Sequence, residues 1–340
     1  MLAVSNFQQF IICIVRLSRH IFPKMSLLKN VFIFLFYCKK ISFSAEFLFL
    51  QQKNMREGLF IISRGIGQVM FQNNALSGAL MLVGILCGSW QMALLAVAGN
   101  LVGNLTACLC KYSREDIRNG LYGFNGTLVG IAIGVFMPIN LLSIALLIAG
   151  SALSTWIARL FGYWGKLPGY TAPFILSVWI LLAGCTYGYP SLLSASAPAV
   201  AEQSPDLVRA FCLNIGQVMF QGNTILSGLF FLAAILVNSR WHALYTVWGA
   251  LLPILVAWVA GTDYTALNAG LIGYNGVLCA IALGGDTWKS GLWATASILL
   301  SIALQLLGMH FGFVTLTAPF VVAVWIILKG GMSKLSCSRA

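Results

Sequence analysis

The chain carries the same six residues twice, as Gly67-Gln68-Val69-Met70-Phe71-Gln72 and again as Gly216-Gln217-Val218-Met219-Phe220-Gln221, an offset of 149 positions (216 − 67). A duplication of this kind narrows the available folds, because each copy must build the same local structure and the two must pack on one another. A second shared motif follows each copy, Tyr122-Gly123-Phe124-Asn125-Gly126 and Ile272-Gly273-Tyr274-Asn275-Gly276. Its offset is 150, because one residue is inserted before Ser227-Gly228 relative to Ser77-Gly78. Thr171-Ala172-Pro173-Phe174 and Thr317-Ala318-Pro319-Phe320 close the two copies, each followed by Val-Trp-Ile.

Only 8% of the residues are charged and 59% are hydrophobic, against a charged share of about 25% in soluble domains. The fold class that follows is an all-α polytopic membrane protein. Small residues four apart, as in Gly99 to Gly103 and Gly126 to Gly130, suit close helix packing in lipid. The net charge of +12 is carried in short loops and at the termini, so it reads as membrane topology and not as affinity for nucleic acid. Nine cysteines occur without a CxxC pair or histidines at metal spacing, which makes them buried thiols and implies no metal or other cofactor.

The segment 1–54 has no counterpart in the second half and mixes apolar runs with bases such as Arg16, Arg19, Lys24, Lys39 and Lys40. It reads as a membrane-surface arm, an extra span, or sequence upstream of the native start. The repeat begins near Glu57, whose mate is Asp206, and this marks Met55 as the candidate start. Residues 55–187 then form the first repeat, 188–205 an extracytoplasmic linker, 206–330 the second repeat and 331–340 a short basic tail.

Lysines and arginines favour the cytoplasmic side. Placing Lys111, Arg114, Arg118, Arg159 and Lys166 there gives five crossings and one half-span in the first repeat. An odd number forces the second repeat to enter the membrane upside down. Arg240, Lys289, Lys329, Lys334 and Arg339 then also lie inside, and Arg209 is the exception. The expected architecture is two inverted-topology repeats, each of five transmembrane helices plus a half-spanning helix, with both termini cytoplasmic. That total is ten spans of about 20 residues and two half-spans of about 10.

If the first motif is helical, Gln68, Phe71 and Gln72 share a face, as do Gln217, Phe220 and Gln221. A lone buried glutamine in lipid is usually interhelical glue. Recurrence at one place on two halves favours a pore-lining role, more strongly for Gln68 and Gln217 than for Gln72 and Gln221. Glycines bracketing Phe124-Asn125 and Tyr274-Asn275 allow unwound backbone and a row of carbonyl acceptors, with Phe124 and Tyr274 as aromatic walls. Pro173 and Pro319 are expected to free the carbonyls of Gly169 and Thr315, and Thr171 and Thr317 add hydroxyls. The three motifs contain no Lys, Arg, Asp or Glu, and His310 is placed in a loop. A neutral, acceptor-rich, aromatic-lined path suits a small planar uncharged solute with several N–H donors. A membrane enzyme is disfavoured, because His20, His242 and His310 are scattered and no catalytic constellation recurs.

These residues resemble the urea transporter family over about residues 57–330. The likeness rests on Gln-Val-x-Phe-Gln, on Gly-x-Asn-Gly and on Leu167-Pro168-Gly169-Tyr170-Thr171-Ala172-Pro173-Phe174. The resemblance implies a homotrimer in the plasma membrane, each subunit passing urea down its gradient through a narrow slot of its own. It implies amide contacts from Gln68 and Gln217 and sandwiching rings from Phe71, Phe124, Phe220 and Tyr274. Apolar slot wall from Leu128, Val218 and Leu278, and central hydroxyls from Thr171 and Thr317, are implied likewise. The alternative is a channel for another small neutral solute, a short amide or ammonia, in the same fold. Two departures stand out: Phe313-Val314 replaces the second Leu-Pro, and Tyr274 stands opposite Phe124.

Overall fold

A corner made of one residue recurs in both halves: Ser89 ends one helix and starts the next, and so does Ser239. Each serine closes the helix before it with its own N–H and accepts with its hydroxyl from the third residue of the helix after it, Met92 or His242. Such a cap is worth about 1 kcal/mol and leaves no slack between the helices. The computed structural model describes residues 55–165, 167–194 and 202–332. The sequence reading of 1–54, the middle of the linker and most of the basic tail lie outside the described residues.

Among the described residues the secondary structure is entirely helical. The first half consists of α1 (Met55–Gln68), α2 (Ala75–Gly88), α3 (Trp90–Leu109), α4 (Arg114–Arg118), α5 (Gly123–Phe136), α6 (Leu141–Trp164) and α7 (Ala172–Gly188). The second half repeats the order as α8 (Leu207–Gly216), α9 (Ile225–Asn238), α10 (Arg240–Ala260), α11 (Tyr264–Asn268), α12 (Tyr274–Leu283), α13 (Trp288–His310) and α14 (Ala318–Ile327). Short 3-10 turns cover Pro190–Leu192 and Gln217–Met219. Among the described residues four helices, α3, α6, α10 and α13, are long and apolar enough to cross a membrane by themselves. His310 is the last residue of α13 and not part of a loop.

Residues 55–88, the start of the first repeat, fold as two helices of 14 residues each. The break falls inside the Gln-Val-Met-Phe-Gln motif. Phe71 and Phe220 take left-handed backbone, φ 62° and φ 59°, a conformation that costs a bulky side chain of order 1–2 kcal/mol. The expected common helix face for Gln68, Phe71 and Gln72 therefore does not exist, because the helix ends at Gln68.

The glycine motif departs from expectation in the other direction. Gly123 and Tyr274 open helices α5 and α12, and the unwound backbone lies just before them. There Gly120 (φ 75°) and Gly270 (φ 71°) press against α1 and α8, where a Cβ would sit 2.4 Å from Gly65 N or Leu213 C. The small-residue spacings mate as well: a Cβ on Gly99 would lie 2.0 Å from the Gly126 carbonyl. Backbones that close make α3 and α5 the tightest pair in the first half.

The two halves interlock. Ser227 donates to the Gly84 carbonyl at 2.7 Å and Asn223 to the Gly88 carbonyl at 2.7 Å, so α9 lies on α2. Each Val-Trp-Ile tryptophan reaches across, Trp179 Nε1 to the Val314 carbonyl at 2.8 Å and Trp325 Nε1 to the Pro168 carbonyl at 2.9 Å. Arg209, the exception in the charge pattern, is paired with Glu202 at 3.0 Å.

Candidate functional site

Pro173 and Pro319 occupy the first turn of α7 and α14, where a missing N–H costs nothing because the first helical donors have no intrahelical partner. They do not free the carbonyls of Gly169 and Thr315, which accept from Ala172 N at 2.9 Å and Ala318 N at 3.0 Å. The open donor of that first turn is met from another helix: Asn125 Oδ1 accepts from Phe174 N, and Asn275 Oδ1 from Phe320 N, both at 3.1 Å. The asparagine of the second motif thus caps the helix that the third motif begins. The loop before each cap has the same shape in both halves, with Tyr170 at φ 44° and Leu316 at φ 49°. The lost Leu-Pro before Thr317 changes nothing there.

Two cavities, of ≈ 580 and ≈ 610 Å³, open beside these caps. Gln68, Phe71, Phe124 and Thr171 line the first; Gln217, Phe220 and Tyr274 line the second. Leu128, Val218 and Leu278 are buried in the core and line neither cavity. Thr317 is buried beside Leu316, which lines the second cavity, and its hydroxyl lies 2.7 Å from that of Thr171.

The two glutamines are held alike. Gln68 Nε2 donates to the Asn119 carbonyl at 3.0 Å and Gln217 Nε2 to the Ala269 carbonyl at 2.9 Å. A carbonyl only accepts, so the contacting atom is the amide nitrogen and Oε1 remains as the acceptor in each cavity. Gln72 and Gln221 are buried, and each folds back to donate to its own turn, at the Met70 and Met219 carbonyls. Gln72 Oε1 also accepts from Asn238 Nδ2 at 2.9 Å, and its Nε2 lies 3.2 Å from His242 Nδ1.

Rings cross between the halves. Phe71 meets Phe320 edge-on at 6.1 Å and Tyr170 at 5.7 Å; Phe220 meets Phe174 at 6.2 Å and Phe136 at 6.3 Å. Phe174 and Phe320 were visible as members of a repeated motif, but nothing in the chain signalled which rings they would meet. Asp116, outside all three motifs, also lines the first cavity. Tyr274 is tied down by its hydroxyl, which donates to the Leu316 carbonyl and lies 3.3 Å from Thr315 Oγ1. Among the described residues no group of three or more His, Cys, Asp or Glu is placed to hold a metal ion. The site therefore offers oriented acceptors, apolar ring edges and hydroxyls, which is equipment for replacing the hydration of a neutral solute.

The family model described as urea transporter matches residues 59–331. The chain is 31% identical over 295 residues to urea transporter 1 of sheep (Ovis aries), covering 78% of this chain and 75% of that protein. It is 32% identical over 262 residues to urea transporter 1 of rat (Rattus norvegicus), covering 70% and 67%.

Proposed function

Since the chain belongs to the urea transporter family, multi-pass membrane proteins that transport and do not catalyse, we propose that it passes urea down its gradient by a channel-like mechanism. The path runs from one cavity to the other through a narrow slot between the threonines. Gln68 Oε1 and Gln217 Oε1 take the N–H groups of urea at the two ends. The rings of Phe71, Phe124, Phe220 and Tyr274 limit its thickness, Leu128, Val218 and Leu278 back the slot, and Thr171 and Thr317 supply hydroxyls at the middle. Gln72 and Gln221 shape the turns that carry the rings.

The observation that carries this reading is the matched commitment of the two glutamine nitrogens to backbone carbonyls, which leaves an acceptor facing each cavity. Two acceptors at equivalent places, with a hydroxyl pair between them, replace lost water stepwise for a solute rich in N–H. Passive movement fits the absence of charged residues from all three motifs, since ion-coupled carriers rely on an ionisable group within the membrane.

The architecture we infer is that of two inverted repeats, 55–187 and 206–330, each contributing five spans and a half-span. The matched element order, the matched caps and the reciprocal tryptophan contacts support it. Pairing of Arg209 with Glu202 removes the weight of the one base on the wrong side. The protein is then a plasma-membrane homotrimer with cytoplasmic termini and one path per subunit.

Urea flux into proteoliposomes, followed by light scattering with acetamide and water in parallel, tests the function. Wild-type flux of urea well above both, lowered in Gln68→Ala and in Gln217→Ala at unchanged yield of folded protein, is the expected result. Unchanged flux in both variants would return the glutamines to a packing role, and faster acetamide would make a short amide the solute.

A further inference from the structure

The two cavities differ in what their amides have left to donate. Phe320 N donates to Asn275 Oδ1 at 3.1 Å, so the orientation of that amide is set and Nδ2 is the atom turned toward Gln305, at 3.2 Å. An amide nitrogen can only donate, so the Gln305 atom it meets must be Oε1. Thr315 donates its hydroxyl proton to the same oxygen at 2.8 Å, and the Tyr274 hydroxyl lies 3.4 Å from it. Gln305 Nε2 is thereby turned out of the cluster and hydrogen-bonds none of the described residues. Gln305 is only 3% exposed, and it lines the same cavity as Gln217 and Phe220.

The first half has no glutamine at the matching place. Arg159 stands at the corresponding place on α6, the spacing to Gln305 being that of Thr171 to Thr317, and its guanidinium lies over the Tyr112 and Tyr163 rings at 5.1 and 4.5 Å. Asn125 Nδ2, the mate of the Asn275 donor, is left buried without a hydrogen-bond partner. Gln305 thus takes up a donor that the first half leaves stranded, and presents one of its own to the cavity.

We propose that Gln305 Nε2 is a specificity-determining donor to the carbonyl oxygen of the solute on the Gln217 side. This rests on the reading of that cavity as part of the urea path. Gln217 Oε1 takes an N–H of the solute and Gln305 Nε2 takes its oxygen, so this end of the path selects for an amide carbonyl and not merely for N–H groups.

Thiourea tests the assignment, because its sulfur is a weak acceptor in the place of a strong one. Entry of urea and thiourea is measured in proteoliposomes of the full chain for wild type, Gln305→Glu and Gln305→Met. Glutamate keeps an oxygen for Thr315, Asn275 and Tyr274 and removes the donor; methionine removes both at similar size. Wild type is expected to favour urea, and the urea-to-thiourea ratio is expected to fall about threefold to tenfold in both variants, the worth of about one net hydrogen bond. A ratio unchanged while both fluxes drop would make Gln305 structural only and overturn the proposal. Equal passage of urea and thiourea in wild type would overturn it with no variant needed. Wild type that moves no urea would sink the path itself, an outcome distinct from urea flux with an indifferent Gln305.

Discussion

The hydroxyls of Thr171 and Thr317, 146 residues apart in the chain, lie 2.7 Å from each other. Both side chains are almost fully buried, and each belongs to the cap of a helix whose next turn is held by an asparagine from elsewhere. On the proposed path such a pair would offer an oxygen to a passing solute, since either hydroxyl can rotate.

Replacing either threonine with valine keeps the shape and removes one acceptor. One net hydrogen bond is worth about 0.5–1.5 kcal/mol, which slows urea passage by about 2-fold to 13-fold. Stopped-flow light scattering reads this directly, and a loss confined to the rate, with unchanged melting in detergent, is the expected pattern.

Phe71 and Phe220 hold left-handed backbone that glycine would adopt without strain. Phe71→Gly is therefore expected to be more stable than Phe71→Ala by about 1 kcal/mol, reversing the usual order of the two residues. Scanning fluorimetry of the two purified variants checks the order. Urea selectivity should fall in both, because the ring is lost in each.

Gly120 and Gly270 combine positive φ with a backbone atom of a neighbouring helix where a Cβ would go. Alanine at either place is expected to cost more than about 2 kcal/mol, since neither the strain nor the contact can relax cheaply. Gly58, with nothing within 4 Å of its Cβ position, is the control, and Gly58→Ala should leave melting unchanged or raise it. Gel-filtration yield and melting temperature separate the two cases.

Acid should act through His242. Gln72 Nε2 is fixed as a donor by the Met70 carbonyl, and its Oε1 is held by Asn238, so His242 Nδ1 must be the accepting, unprotonated nitrogen. Protonation puts N–H against N–H and loosens the turn that carries Phe71. Urea flux is expected to decline once acid protonates this imidazole, and His242→Met, which copies the mate position Met92, should flatten that profile. The three motifs contain no group that ordinarily titrates near neutral pH.

That last case shows where sequence reading stops. The Gln, Asn, Thr and Pro of the repeats were legible as important because they recur, and recurrence needs no coordinates. His242 does not recur, since its mate is Met92, so nothing marked it until folding set it beside Gln72. Gln305 was silent for the same reason, having Arg159 as its mate. The helical reading of Gln68 to Gln72 failed for a different cause: a left-handed turn at a phenylalanine is a cost that local propensity argues against, and only tertiary contacts hold it.

By itself the sequence determined the membrane class, the duplication, the family and the three repeated motifs, because hydropathy, repetition and rare residue combinations are properties of the chain. Tertiary structure decided where the helices break, which atom of each amide is left free, and which rings meet across the halves. Those depend on backbone carbonyls and side chains far apart in the chain, as with Gln68 on Asn119 and Thr171 on Thr317, and no local pattern encodes a partner that distant.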